Sequence, residues 1–123
     1  MITFDTGALI AIERRDRRML AFLTDALARG SRITVPSCVI AEWWHAQRGP
    51  VARIIDAVVV EPLNLDLARL VGETRAIVRG ATLVDVVVVA SAAQRGDLVL
   101  TGDLDDLTKI RDRAFPSVRL RRV

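Results

Sequence analysis

The sequence predicts an α/β protein, a five-stranded parallel sheet flanked by helices, and three observations predict it. Short apolar, β-branched runs recur along the 123 residues, each followed by a turn and then by apolar residues at helical spacing. Hydrophobic residues make up 51% of the chain and charged ones 27%, enough apolar material for a packed core. No repeat, low-complexity segment or linker-like stretch interrupts the pattern, and the length suits one domain over residues 1–123.

Met1 to Phe4 forms a short apolar strand ending at Asp5-Thr6-Gly7, and Ala8 to Ile12 begins a helix that runs into the charged segment Glu13 to Arg18. Met19, Leu20, Leu23, Ala26 and Leu27 recur at helical spacing, with Gly30 as a stop before the strand Ile33-Thr34-Val35. Pro36-Ser37 can open a third helix carrying Val39, Ile40, Trp43 and Trp44, because proline fits a helix's first turn. Gly49-Pro50 then precedes another apolar-periodic stretch, Val51 to Ile55, and Val58 to Val60 reads as a strand closed by Pro62.

Leu65 to Arg79 places Leu67, Leu70, Val71, Thr74 and Val78 on one helical face and stops at Gly80. Val84 to Val89 contains five valines, which by propensity favours a strand, yet Thr82-x-x-Asp85 resembles a capping box and Gly96 sits where such a helix would end. Helix is the better reading, since Leu98 to Leu100 follows at once as a cleaner strand. Asp103 to Arg113 carries acids in its first turn and bases in its last, matching the helix macrodipole, and Val118 to Arg121 alternates like an edge strand. Parallel strands joined by helices require cover on both faces of the sheet.

Composition excludes several classes. One cysteine, Cys38, permits no internal disulfide, and one histidine, His45, excludes sites built on two imidazoles. The longest charge-free stretches, Ile33 to Ala41 and Val86 to Gln94, fall well short of the roughly 20 residues that span a bilayer, and no basic segment precedes an apolar start. A soluble, cytoplasmic protein is the expectation. The net charge is +3, and all but one of the 18 basic residues are arginine. Neutralising four acids in one site would leave 18 basic residues against 11 acids, a balance that attracts a polyanion.

In open parallel sheets, ligands bind beyond the carboxyl ends of the strands, so residues just after strands matter most. Asp5 ends the first strand, and Asp103 follows the strand Leu98 to Thr101 by one glycine. Asp85 interrupts the apolar run Leu83 to Ala90, and Glu42 flanks an apolar helical stripe, places where a buried carboxylate needs a partner. Each acid also has an ordinary structural use: Asp5 and Asp103 as helix caps, Asp85 in a capping box, Glu42 paired with an arginine. All four meeting at one rim is better explained by a hard divalent cation, Mg²⁺ or Mn²⁺, since an all-carboxylate set without histidine or thiolate suits such ions.

At these residues the chain resembles the PIN-domain ribonucleases, and among them the VapC-type toxins of bacterial type II toxin-antitoxin pairs. Ile2-Thr3-Phe4-Asp5-Thr6-Gly7-Ala8-Leu9-Ile10 is similar to the family's first motif, an apolar strand ending in Asp, then Ser or Thr, then an apolar helix. Ile40-Ala41-Glu42 is similar to the second, and Asp85 with the apolar residues and Ala90-Ser91-Ala92 after it to the third. Thr101-Gly102-Asp103-Leu104-Asp105-Asp106-Leu107 resembles the fourth. Each motif alone is weak; four in order over the whole chain are strong. Val86 stands where the family often has alanine and Leu107 where phenylalanine is common, changes that leave the acids undisturbed.

The resemblance implies a PIN-like three-layer sandwich and an endoribonuclease, dependent on Mg²⁺ with Mn²⁺ as an alternative, that hydrolyses RNA phosphodiesters, in transfer or ribosomal RNA. It further implies a homodimer and a cognate VapB-type antitoxin as inhibitor. Asp5, Glu42, Asp85 and Asp103 are then the catalytic, metal-holding acids, directly or through waters. Thr6 and Thr101 stand beside them as secondary residues, and Asp106, one helical turn beyond Asp103, is a possible fifth acid. Asp105 and His45 are expected to face solvent.

Arg14, Arg15, Arg17 and Arg18 could touch an RNA backbone, as could Arg119, Arg121 and Arg122, although a charge run is ordinarily a solvated turn and arginines discourage edge-strand pairing. Trp43 and Trp44, neighbours on one helix, point about 100° apart, so one of them can be exposed to a partner. A phosphorelay receiver fits badly, because Glu61-Pro62 ends the third strand and the only lysine, Lys109, lies in a helix. The alternatives within the same fold are a non-toxin nuclease of RNA maturation and a catalytically idle interaction domain.

Overall fold

A computed structural model describes residues 1–123 throughout. The elements run β1 (Ile2–Phe4), α1 (Thr6–Glu13), α2 (Arg17–Ala28), β2 (Ile33–Pro36), α3 (Ser37–Trp43), α4 (Ile54–Ala57) and β3 (Val59–Glu61). They continue with α5 (Leu65–Ile77), α6 (Leu83–Arg95), β4 (Leu98–Thr101), α7 (Leu104–Ala114) and β5 (Arg119–Arg122). All five strands are parallel, in the order β3-β2-β1-β4-β5.

This order positions the site. From β1 the chain steps outward to β2 and β3, and from β4 it steps the other way to β5. Right-handed crossovers therefore send the two sets of helices to opposite faces, giving the three-layer sandwich expected from the sequence. The directions diverge between β1 and β4, paired from Ile2↔Leu98 to Phe4↔Leu100, so a crevice opens beyond the carboxyl ends of these two strands.

Local chemistry explains the element ends. The Asp5 carboxylate accepts from the Ala8 amide at 2.9 Å, so α1 starts at Thr6, two residues before the apolar run begins. Asp16 caps α2 and Asn64 caps α5 in the same way. The valine-rich segment is helical: Thr82 accepts from the Asp85 amide at 3.2 Å, and Gly96 ends the helix at φ 72°. Val86 through Ala92 are all buried, because α6 is covered by the sheet on one side and by neighbouring helices on the others. A helix apolar all round belongs in such a place, and that burial outweighs the β propensity of valine.

Other expected boundaries shift: α5 ends at Ile77 instead of Arg79, and the last strand runs one residue later than Val118 to Arg121. The third helix stops at Trp43, so Trp44 and His45 lie beyond it; Trp43 is 4% exposed and Trp44 44%. Of the stretch Val51 to Ile55, only its end enters a short helix, Ile54–Ala57, with turns before it. The third strand is displaced by one residue and takes in Glu61, which its register with Pro36 requires. No helix is long and apolar enough to cross a membrane.

Candidate active site

Two glycines bring the ends of β1 and β4 together. A Cβ added to Gly7 would lie 2.5 Å from the Gly102 Cα, and one on Gly102 would lie 3.0 Å from the Gly7 Cα. The β1–α1 and β4–α7 junctions thus touch backbone to backbone, an approach that leaves no room for a side chain at Gly7 and little at Gly102. Asp5 spans this contact, with its carboxylate accepting from the Ala8 amide at 2.9 Å and from the Gly102 amide at 3.1 Å. It is 6% exposed, and burial pushes its carboxyl above the ordinary range, partly offset by the Thr101 hydroxyl and these amides.

A cavity of about 390 Å³ opens over the contact, lined by Asp5, Thr6, Glu42, Asp85, Asp103 and Asp106 together with both glycines. Carboxylate oxygens of Asp85, Asp103 and Asp106 all lie within 4.8 Å of one another. Asp5 and Glu42 line the same cavity outside that trio. Burial raises the Asp85 carboxyl, and the charges of Asp103, Asp106 and Asp5 raise it further against the Thr82 hydrogen bond. Asp106 beside Asp103 raises the Asp103 carboxyl, since two acids sharing one space ionise together only at a cost. No lysine or arginine forms an ion pair with any of the five acids.

Several expectations change. Glu42 is exposed, so no burial cost demands a partner for it, and it takes a 2.6 Å hydrogen bond from the Thr6 hydroxyl instead of an arginine. Asp103 precedes α7 without a side-chain cap bond, which leaves its carboxylate for the cavity. Thr101 is buried and does not line the cavity; its hydroxyl accepts from the Asp103 amide at 2.8 Å and fixes the turn that presents Asp103. Asp105 and His45 are exposed, and His45 faces Glu13 at 3.0 Å.

The arginines following α1 do not act as one patch. Arg15 turns through a left-handed backbone (φ 58°) toward an apolar groove, Arg18 lies near Arg121, and Arg17 is exposed. Only Arg14 borders a groove continuous with the acids, through Gly7 and Gly102. Sequence reading missed the two glycines and Thr82 as parts of the site. Their signals are the Asp-Thr-Gly and Thr-Gly-Asp turns, built from the same three residue types, and the spacing of Thr82 ahead of Asp85.

Five carboxylates in one cavity, three mutually crowded and none neutralised from within, fit a hard divalent cation bound by oxygen. No family model matches the sequence, and no curated protein does. The fold, however, matches solved structures closely. DNA-bound VapBC from Salmonella typhimurium superposes at a TM-score of 0.72 and 15% identity, over 98% of this chain and 96% of that one. VapBC2 from Rickettsia felis bound to a DNA fragment from their promoter gives 0.70 and 17%, over 100% and 99%. FitAcB from Neisseria gonorrhoeae gives 0.68 and 15%, over 98% and 96%. The chain shares the PIN-like α/β fold of these structures.

Proposed function

We propose that this chain is a Mg²⁺- or Mn²⁺-dependent endoribonuclease of the VapC toxin type, cleaving transfer or ribosomal RNA and silenced by a cognate VapB-type antitoxin. The observation that carries the reading is the cavity where Asp5, Glu42, Asp85, Asp103 and Asp106 meet with no cation of the protein among them. Likeness to VapBC and FitAB structures supports the antitoxin partner, and a homodimer belongs to the same reading.

Asp85, Asp103 and Asp106 would hold the ion, with Asp5 and Glu42 contributing directly or through water. When bound, such an ion offsets the charge of a scissile phosphodiester and lowers the pKa of water beside it. Asp5, fixed by two backbone amides, gives the site a rigid floor, and Thr6 keeps Glu42 aimed into the cavity. Attack by water in line with the leaving oxygen puts the new P–O bond on the 5′ side and leaves a 3′-hydroxyl.

The test is cleavage of total bacterial RNA by the purified chain with Mg²⁺ or Mn²⁺, with EDTA, and with Asp5→Asn, mapping the ends. Cuts at few positions, lost in EDTA and in Asp5→Asn, with 5′-phosphate and 3′-hydroxyl ends, are expected. A 2′,3′-cyclic phosphate would overturn the water mechanism. Absence of cleavage by the metal-loaded, partner-free chain would favour an interaction domain.

A further inference from the structure

The acids occupy the middle of a longer surface. On one side, a cavity of about 440 Å³ shares Thr82, Asp85 and Asp106 with the carboxylate site and is lined by Arg79, Lys109 and Arg113. Arg79 comes from the turn that follows α5, while Asp106, Lys109 and Arg113 follow one another at helical spacing along one face of α7. On the other side, a second cavity of about 440 Å³ shares Gly7 and Gly102 with the site and is bordered by Arg14 and Arg122, with one acid, Asp16, whose carboxylate is engaged in capping α2 through the Met19 amide.

None of these five cations pairs with an acid of the protein, although the first three share a cavity with Asp85 and Asp106. Most arginines of the chain are likewise unpaired, so what sets these five apart is their place in cavities that adjoin the carboxylate site. Neighbouring charges of both signs left open in this way suit two ligands at once, a metal cation for the acids and an anion on each side of it. Phosphates one or more nucleotides apart on a single strand meet that description, and positively charged grooves that follow a backbone hold such strands.

We propose that Arg79, Lys109 and Arg113 on one flank and Arg14 and Arg122 on the other form a phosphate track that carries single-stranded RNA across the carboxylates. The inference rests on the nuclease reading above and deepens it. A track with two open flanks admits an internal segment of a strand, without threading from an end. Lys109 and Arg113 act as positioning residues, distinct from the acids that hold the ion.

The test measures binding of a labelled single-stranded RNA in the Asp5→Asn background, from 50 to 200 mM salt, with cleavage followed in the otherwise native chain. The variants are Arg79→Gln/Lys109→Gln/Arg113→Gln and Arg14→Gln/Arg122→Gln. The control is Arg29→Gln/Arg32→Gln, which removes charge beside the opposite ends of the strands. Each lost phosphate contact lowers the salt slope by about 0.7, so the triple variant should lose about 2 in slope and bind roughly 10-fold or more weakly. Circular RNA should be cut about as fast as linear RNA, and Mn²⁺ binding should stay within about twofold of the starting chain. If flank variants match the control while the native chain still cleaves, the track is wrong and the nuclease stands. If the native chain with metal neither binds nor cleaves RNA, both fall.

Discussion

Two acidic regions of this molecule differ in how their charge is answered. Beside β3, α6 and β4, Arg95 bonds Asp97 at 2.9 Å, Thr3 at 2.9 Å, Ser91 at 2.8 Å and also Glu61, while Ser91 donates to Glu61 at 2.6 Å. Thr3 donates to the buried Asp97, whose second oxygen lies 3.7 Å from the Met1 amino group. At the rim of β1 and β4, Asp85, Asp103 and Asp106 form no ion pair; burial and then the neighbouring acids raise the Asp85 carboxyl, and the adjacent Asp106 raises that of Asp103. The acids around Arg95 are paired within the chain; those at the rim are crowded and have no ion-pair partner in it. The first region staples the structure; on the proposed reading, the crowding of the second is relieved by a bound cation.

Breaking the staple should give the largest effect. Arg95→Ala leaves Asp97 buried and Glu61 without its cation, and should cost about 3–5 kcal/mol in denaturant unfolding. Loss under 1 kcal/mol would mean that the two regions do not differ as stated. Asp103→Asn should do the reverse, leaving stability unchanged or higher while RNA cleavage falls at least about 100-fold, or about 2.7 kcal/mol. Divalent ion at 100 times its Kd should stabilise the native chain by about 2.7 kcal/mol in thermal melts and leave Asp103→Asn unmoved.

A smaller effect comes from the glycine contact. Gly7→Ala forces a Cβ against the Gly102 backbone, and overpacking of this kind costs about 1–3 kcal/mol. Its Mn²⁺ affinity should fall as the two turns part, which titration calorimetry would read. The smallest effect is in pH. The Asp85 carboxyl is raised in the folded protein, so the native state holds its proton more tightly than the unfolded chain does. Metal-free stability from this group is therefore greatest in acid and declines as pH rises from about 4 through the raised native value. The advantage of Asp85→Asn over the native chain should be absent near pH 4 and complete at neutral pH, and added Mn²⁺ should reverse it. An advantage independent of pH would show that Asp85 acts through packing alone.

The sequence by itself determined the order and type of the elements, though not every boundary. Alternating apolar runs and helical patterns placed five strands and the principal helices. Thr82 and Gly96 marked the ends of a valine-rich helix against its propensity, and Asp5 and Asp103 were already set at the ends of strands. Four of the five acids that line the cavity, and Asp106 as a fifth, were legible from motif and position. Only the tertiary structure decided which charges are answered. Arg95 meets Thr3 across 92 positions, Asp5 meets the Gly102 amide across 97, and no pattern along the chain measures such distances. Exposure of Glu42, the turning aside of Arg15, and the alignment of Arg79 with Lys109 and Arg113 likewise follow from strand order and crossover packing. Periodicity reports which face of an element is apolar, and a charge is partnered or free only by what another element brings beside it.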